Sequence, residues 1–193
     1  MVHHVIYVPG LGDHMPHGQQ LVPGYWRLFG VQGHYEPMHW NDKMPFAPKL
    51  ERLIARIDEL APDGPVSLVG SSAGASAVLV AYGARLDKVA GVECICGKIN
   101  RPDTVNPRYY IENPAFKESL AELQRVLPKL NLEARARILS IRPIADGIVP
   151  PADALIPGAN NKAIPTFGHG LSIAFALTFG AFSMMRFLKR QVA

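Results

Sequence analysis

Short apolar runs alternate with longer amphipathic stretches along the whole of this chain. Val2-His3-His4-Val5-Ile6-Tyr7-Val8 is rich in β-branched residues, carries apolar positions on both faces and stops at Pro9-Gly10, which predicts a central strand. Leu11 to Gly18 is a loop by composition. From Gln19 to Gly30, Leu21, Val22, Tyr25, Trp26, Leu28 and Phe29 suit a helix disturbed at Pro23-Gly24. Gly33 to Trp40 is a weaker strand that Pro37 assigns to a sheet edge. Leu50, Leu53, Ile54, Ile57 and Leu60 make one apolar stripe and predict a helix from Pro48 to Leu60.

Val66 to Val69 predicts a buried strand, and Ala73 to Leu86 a helix whose first turn is kept thin by Gly74, Ala75, Ser76 and Ala77. Gly91 to Gly97 is a further strand. Lys98 to Glu133 is a long connection: Ile99 to Asn113 is loop-like, and Phe116, Leu120, Leu123 and Leu127 mark an amphipathic helix ended by Pro128. A plain parallel crossover needs only about a dozen residues, so the surplus forms either a small cap or an extended crossover. Ala136 to Ile141 and Lys162 to Phe167 predict two more strands, separated by a loop over 142–150, and Leu171 to Leu188 a final helix. Strands alternating with helices, with no linker and no internal repeat, predict one α/β domain over 1–193 built on a mostly parallel sheet. In such a sheet ligands bind at the carboxyl ends of the strands.

Composition changes this picture little. Hydrophobic residues at 48% and charged residues at 19% fit a globular chain. The net charge of +4 is spread without a basic stripe, which argues against a nucleic-acid partner. The only cysteines, Cys94 and Cys96, are two apart in a predicted strand and so are expected to share a face. That is no disulfide framework, and together with an N-terminus lacking a signal-peptide pattern it suggests a cytoplasmic setting. The uncharged run Leu171 to Met185 spans 15 residues, short of the roughly 20 needed to cross a bilayer. It reads as a buried helix, with membrane-surface contact through 171–190 as the alternative.

The candidate chemistry begins at Gly70-Ser71-Ser72-Ala73-Gly74, a G-x-S-x-G pentapeptide between a predicted strand and a predicted helix. Ser72 is the central serine, and the small flanking residues let strand and helix approach. Ser71 is read as structural. Asp146 follows the fifth predicted strand and His169 the last, so three polar residues from distant parts of the chain meet at one sheet edge, in the order Ser, Asp, His.

These residues resemble a minimal, lid-poor α/β-hydrolase of the serine esterase or lipase type, and the resemblance covers essentially the whole chain. Val8-Pro9-Gly10-Leu11-Gly12 resembles the family's oxyanion segment, although His-Gly is more usual there than Pro-Gly. Asp146-Gly147-Ile148-Val149-Pro150 resembles its acid loop, and Gly168-His169-Gly170 the loop that delivers the histidine. The resemblance implies a three-layer sandwich with about six strands. It implies Ser72 as nucleophile, His169 as base, Asp146 as the orienting acid, and the Leu11 and Ala73 N–H groups as the oxyanion hole. Asp103, past the fourth strand, is the alternative acid. The implied reaction is hydrolysis of a small-molecule ester with a short- to medium-chain acyl group, without a cofactor. A thioesterase, lactonase or amidase would use the same triad, and a non-catalytic binding protein on this scaffold is the rival of a different class.

Met15, Tyr109, Tyr110 and Ile111 are expected to edge the substrate pocket. Asp13, His14 and His17 read as a polar loop rather than metal ligands, since no metal-binding spacing accompanies them.

Overall fold

The computed structural model describes residues 1–15 and 18–192. In chain order the elements are β1 (His4–Val8), α1 (Val22–Tyr25), β2 (Gln32–Tyr35), α2 (Phe46–Leu60), β3 (Val66–Ser71), α3 (Gly74–Ala84), β4 (Val89–Ile95), α4 (Pro107–Glu112), α5 (Pro114–Val126), α6 (Leu132–Ala136), β5 (Ile138–Ala145), β6 (Asn160–Phe167), α7 (His169–Leu177) and α8 (Ala181–Arg190). Single 3₁₀ turns flank several of them.

All six strands pair in parallel, in the order β2-β1-β3-β4-β5-β6. Alternate strand residues point to opposite faces and build two cores. Ile6, Val8, Leu68, Val92 and Cys94 pack against α2, α3 and α5 on one face. Val5, Tyr7, Val69, Ile95, Leu139 and Ile141 pack against Trp26, α7 and α8 on the other. This is the three-layer α/β sandwich of the expectation. Every residue of α3 from Gly74 to Tyr82 is buried, so its sequence is apolar all round rather than striped.

Several local expectations are corrected. Gln19 to Gly30 is not one helix; two 3₁₀ turns flank the four-residue α1, with Pro23 in its first turn, where its missing N–H costs nothing. The stretch 142–145 is strand, not loop. β4 stops pairing with β5 at Ile141, and beyond it β5 pairs with β6 alone, which leaves room for Pro143. The last helix is broken: α7 and α8 meet at 62°, and Leu171, Phe179 and Phe182 are exposed rather than buried. No single helix among the described residues is long and apolar enough to cross a membrane. Within the long connection, Ile99 to Asn113 holds a 3₁₀ turn and α4 instead of plain loop.

Cys94 and Cys96 do not share a face. β4 ends at Ile95, and Cys96 has a positive φ of 50°, which turns it into the opposite core.

Candidate active site

The strand order reverses between β1 and β3, so the loops leaving these neighbours run to opposite sides and open a crevice at their carboxyl ends. Ser72 sits at that point. Its φ of 52° is in the left-handed region, which costs a non-glycine residue about 1–3 kcal/mol. The turn is held by the Ser72 N–H, which donates to the Ile95 carbonyl at 2.9 Å. The glycines around it are required by contact. A Cβ at Gly70 would lie 2.5 Å from the Gly74 carbonyl oxygen and 2.6 Å from Val78 Cγ2. One at Gly74 would run into the Val8 carbonyl oxygen, so β1 and α3 meet only because that side chain is missing.

Three strand ends then converge. His169 Nε2 lies 2.9 Å from Ser72 Oγ, and its Nδ1 lies 2.7 Å from Asp146 Oδ2. Asp146 is held by its own loop: its Oδ1 accepts the Ile148 and Val149 N–H groups at 2.8 and 3.0 Å. β5 and β6 run on past the end of β4 and carry Asp146 and His169 forward, and the Gly168 N–H closes onto the Ala145 carbonyl at 2.9 Å. Asp103 lies in a 3₁₀ turn and makes no hydrogen bond to His169. Ser71 shares a 2.9 Å hydrogen bond with the Tyr7 hydroxyl inside the core.

The segment after β1 lies directly over the serine: a Cβ on Gly10 would be 2.7 Å from Ser72 Cβ and 3.3 Å from its Oγ. Neither the Leu11 N–H nor the Ala73 N–H has an acceptor among the described residues, so both donors next to Ser72 are open.

A cavity of about 270 Å³ adjoins Ser72. Leu11, Val105, Phe116, Ile148 and Val149 form its apolar wall, and Lys98, Thr104, Asn106 and Tyr109 its polar part. Of the four predicted pocket residues only Tyr109 lines it. Tyr110 turns to Phe116 and donates its hydroxyl proton to the Pro102 carbonyl, while Met15 and Ile111 are exposed on the surface. Sequence reading missed Lys98 and Thr104, whose one signal was their place just past the fourth strand. A larger cavity lies at the opposite edge of the sheet, around Asp58, Pro65 and Val89, remote from Ser72.

The Sγ of Cys96, a carboxylate oxygen of Asp146 and a ring nitrogen of His169 lie within 4.8 Å of one another. Burial, with the Asp146 charge beside it, pushes the Cys96 thiol up to about 12, so it stays protonated, while Asp146 and His169 satisfy each other. Asp13 is likewise engaged: its carboxylate accepts the His39 and Trp40 N–H groups at 2.6 and 3.3 Å. His17, the third residue of that loop reading, lies outside the described residues.

A six-stranded parallel sheet, a strained serine turn at its switch point and an acid and a histidine from its last two strands together define the α/β-hydrolase fold. By sequence, no family model and no curated protein matches the chain. Solved structures do. Est1E from Butyrivibrio proteoclasticus superposes with a TM-score of 0.71 at 15% identity, over 99% of this chain and 88% of its own. A structure from LipS and LipT, two metagenome-derived lipolytic enzymes, gives 0.68 at 13% identity, over 97% and 94%. A monoacylglycerol lipase from Paleococcus ferrophilus gives 0.62 at 16% identity, over 97% and 94%. At these identities the likeness is one of fold.

Proposed function

We propose that this protein is a serine hydrolase that cleaves carboxylic esters of short to medium acyl chain through an acyl-serine intermediate on Ser72. The observation that carries the reading is His169, with one ring nitrogen on the Ser72 hydroxyl and the other on the Asp146 carboxylate. A serine hydroxyl is a weak nucleophile until an adjacent base takes its proton. His169 Nε2 receives that proton as Ser72 Oγ attacks the ester carbonyl, and returns it to the leaving alcohol. Asp146 keeps the Nδ1–H tautomer and stabilises the imidazolium. The open Leu11 and Ala73 N–H groups receive the oxyanion of the tetrahedral intermediate. Water, deprotonated by His169, then releases the acid.

The lipases and esterases among the similar folds support an ester as the substrate class, and the small cavity supports a short acyl group. The test is labelling with a fluorophosphonate probe together with a p-nitrophenyl ester series. Wild type is expected to label and to hydrolyse the shorter esters; Ser72→Ala is expected to do neither. Undiminished hydrolysis by Ser72→Ala overturns the proposal.

A further inference from the structure

Lys98 stands just past the end of β4, next to the strand that carries Ser72, and it lines the same cavity. Its side chain is only 6% exposed. A buried ammonium requires compensation, and here it comes from Asp153, which is fully buried. That carboxylate also pairs with Arg101, so two cations share one anion. Asp153 is itself fixed, because its backbone carbonyl accepts the Ile99 and Asn100 N–H groups at 3.1 and 2.9 Å. Lys98 Nζ donates to Asp153 Oδ2 and, at 2.6 Å, to Thr104 Oγ1. An ammonium has three N–H donors; the third has no acceptor among the described residues. No carboxylate among the described residues lines the cavity.

The cavity therefore combines apolar lining residues and Ser72 with a buried, anchored ammonium that has one N–H donor to spare. We propose that Lys98 is a specificity-determining residue that binds an anionic oxygen group, so that the preferred substrates are esters whose short acyl chain ends in a carboxylate. The acyl group is assigned to this cavity because it stays bonded to Ser72 after the alcohol has left, and the concave space that the serine lines is where it would be held. Thr104 and Asp153 act through Lys98 by aiming its ammonium.

The inference rests on the serine hydrolase reading, and its test separates the two. Mono-p-nitrophenyl adipate and p-nitrophenyl hexanoate have the same chain length and differ at the far end, carboxylate against methyl. Wild type is expected to favour the adipate by about tenfold or more in kcat/KM at low salt, mainly through KM, as a charge-assisted hydrogen bond gives. Added salt is expected to shrink that ratio. In Lys98→Met the ratio is expected to fall to about one or below, and Lys98→Arg to recover part of it. Equal use of the two esters by wild type, or a ratio that Lys98→Met leaves unchanged, overturns the proposal. The wild-type ratio decides the matter even where Lys98→Met does not fold. Calorimetric binding of adipate against hexanoate to Ser72→Ala needs no turnover. If no ester is hydrolysed and no probe labels Ser72, the hydrolase reading fails, while tighter binding of adipate there still upholds the anion site and equal binding removes it.

Discussion

Replacing Asp146 with asparagine tests the triad without disturbing its scaffold. Asp146 Oδ1 accepts two loop N–H groups at 2.8 and 3.0 Å. In Asp146→Asn these donors select the amide oxygen for that position and so point the amide NH₂ at His169 Nδ1, 2.7 Å away in the wild type. An NH₂ group donates, so Nδ1 must become the acceptor and the ring proton moves to Nε2. Nε2 then faces Ser72 Oγ carrying a proton and cannot take another. The imidazolium formed on attack also loses its negative partner. The same exchange in a serine protease triad costs about 10⁴ in kcat, roughly 5.5 kcal/mol. That is the loss expected here, with thermal stability nearly unchanged because the loop hydrogen bonds survive. The assay is steady-state hydrolysis of a short p-nitrophenyl ester, with circular dichroism melts on the same samples. Asp103→Asn serves as the comparison and is expected to stay close to wild type. If Asp146→Asn keeps more than about a tenth of the activity, or Asp103→Asn loses more, the tautomer argument is refuted.

Two further outcomes follow from packing and burial. Gly10→Ala places a Cβ 2.7 Å from Ser72 Cβ, so the oxyanion segment and the serine must separate; kcat is expected to fall about 10²–10³-fold, the loss typical of one oxyanion donor, and retention of wild-type kcat in the same ester assay would count against the Leu11 N–H. Glu93 is fully buried on β4, neither carboxylate oxygen has a partner among the described residues, and burial holds its carboxyl far above the ordinary range despite the pull of Lys162. The folded state therefore keeps a proton that the unfolded state releases. Its contribution to stability is full below the unfolded carboxyl value and declines by about 1.4 kcal/mol per pH unit as pH rises towards the folded value. In urea unfolding the stability of wild type relative to Glu93→Gln should fall as pH rises above the ordinary carboxyl range, the comparison cancelling the opposite contribution of His3 and His34, which burial holds down at about 4; parallel curves would exclude Glu93 as a source.

The local patterns carried most of the architecture. Runs with apolar residues on both faces identified central strands, because a parallel sheet covered by helices is dry on both sides. The stripe from Leu50 to Leu60 identified α2; the strand expected over Gly33 to Trp40 is at the sheet edge but covers only Gln32–Tyr35 and ends before Pro37. Small residues at Gly70 and Gly74 announced a close strand–helix approach, now seen as contacts that no Cβ would permit. The positions of Ser72, Asp146 and His169 just past the third, fifth and sixth strands placed them at one edge, because parallel strands end on the same side.

What required the tertiary structure were features set by neighbours distant in sequence. Strand β5 continues through Pro143 because β4 has ended beside it, which no local propensity records. Cys96 leaves the face of Cys94 because the strand stops at Ile95 and the backbone turns left-handed at Cys96. Tyr110 and Ile111 looked like pocket residues by composition, yet α4 presents only Tyr109 to the cavity. Lys98 looked like the first residue of a loop. Only the fold brings Asp153, 55 positions later, against its ammonium, in a cavity that Ser72 also lines. Periodicity reports which face of an element is dry. Which charge meets which across a sheet edge is decided by loop paths and long-range pairing, and these are properties of the assembled chain.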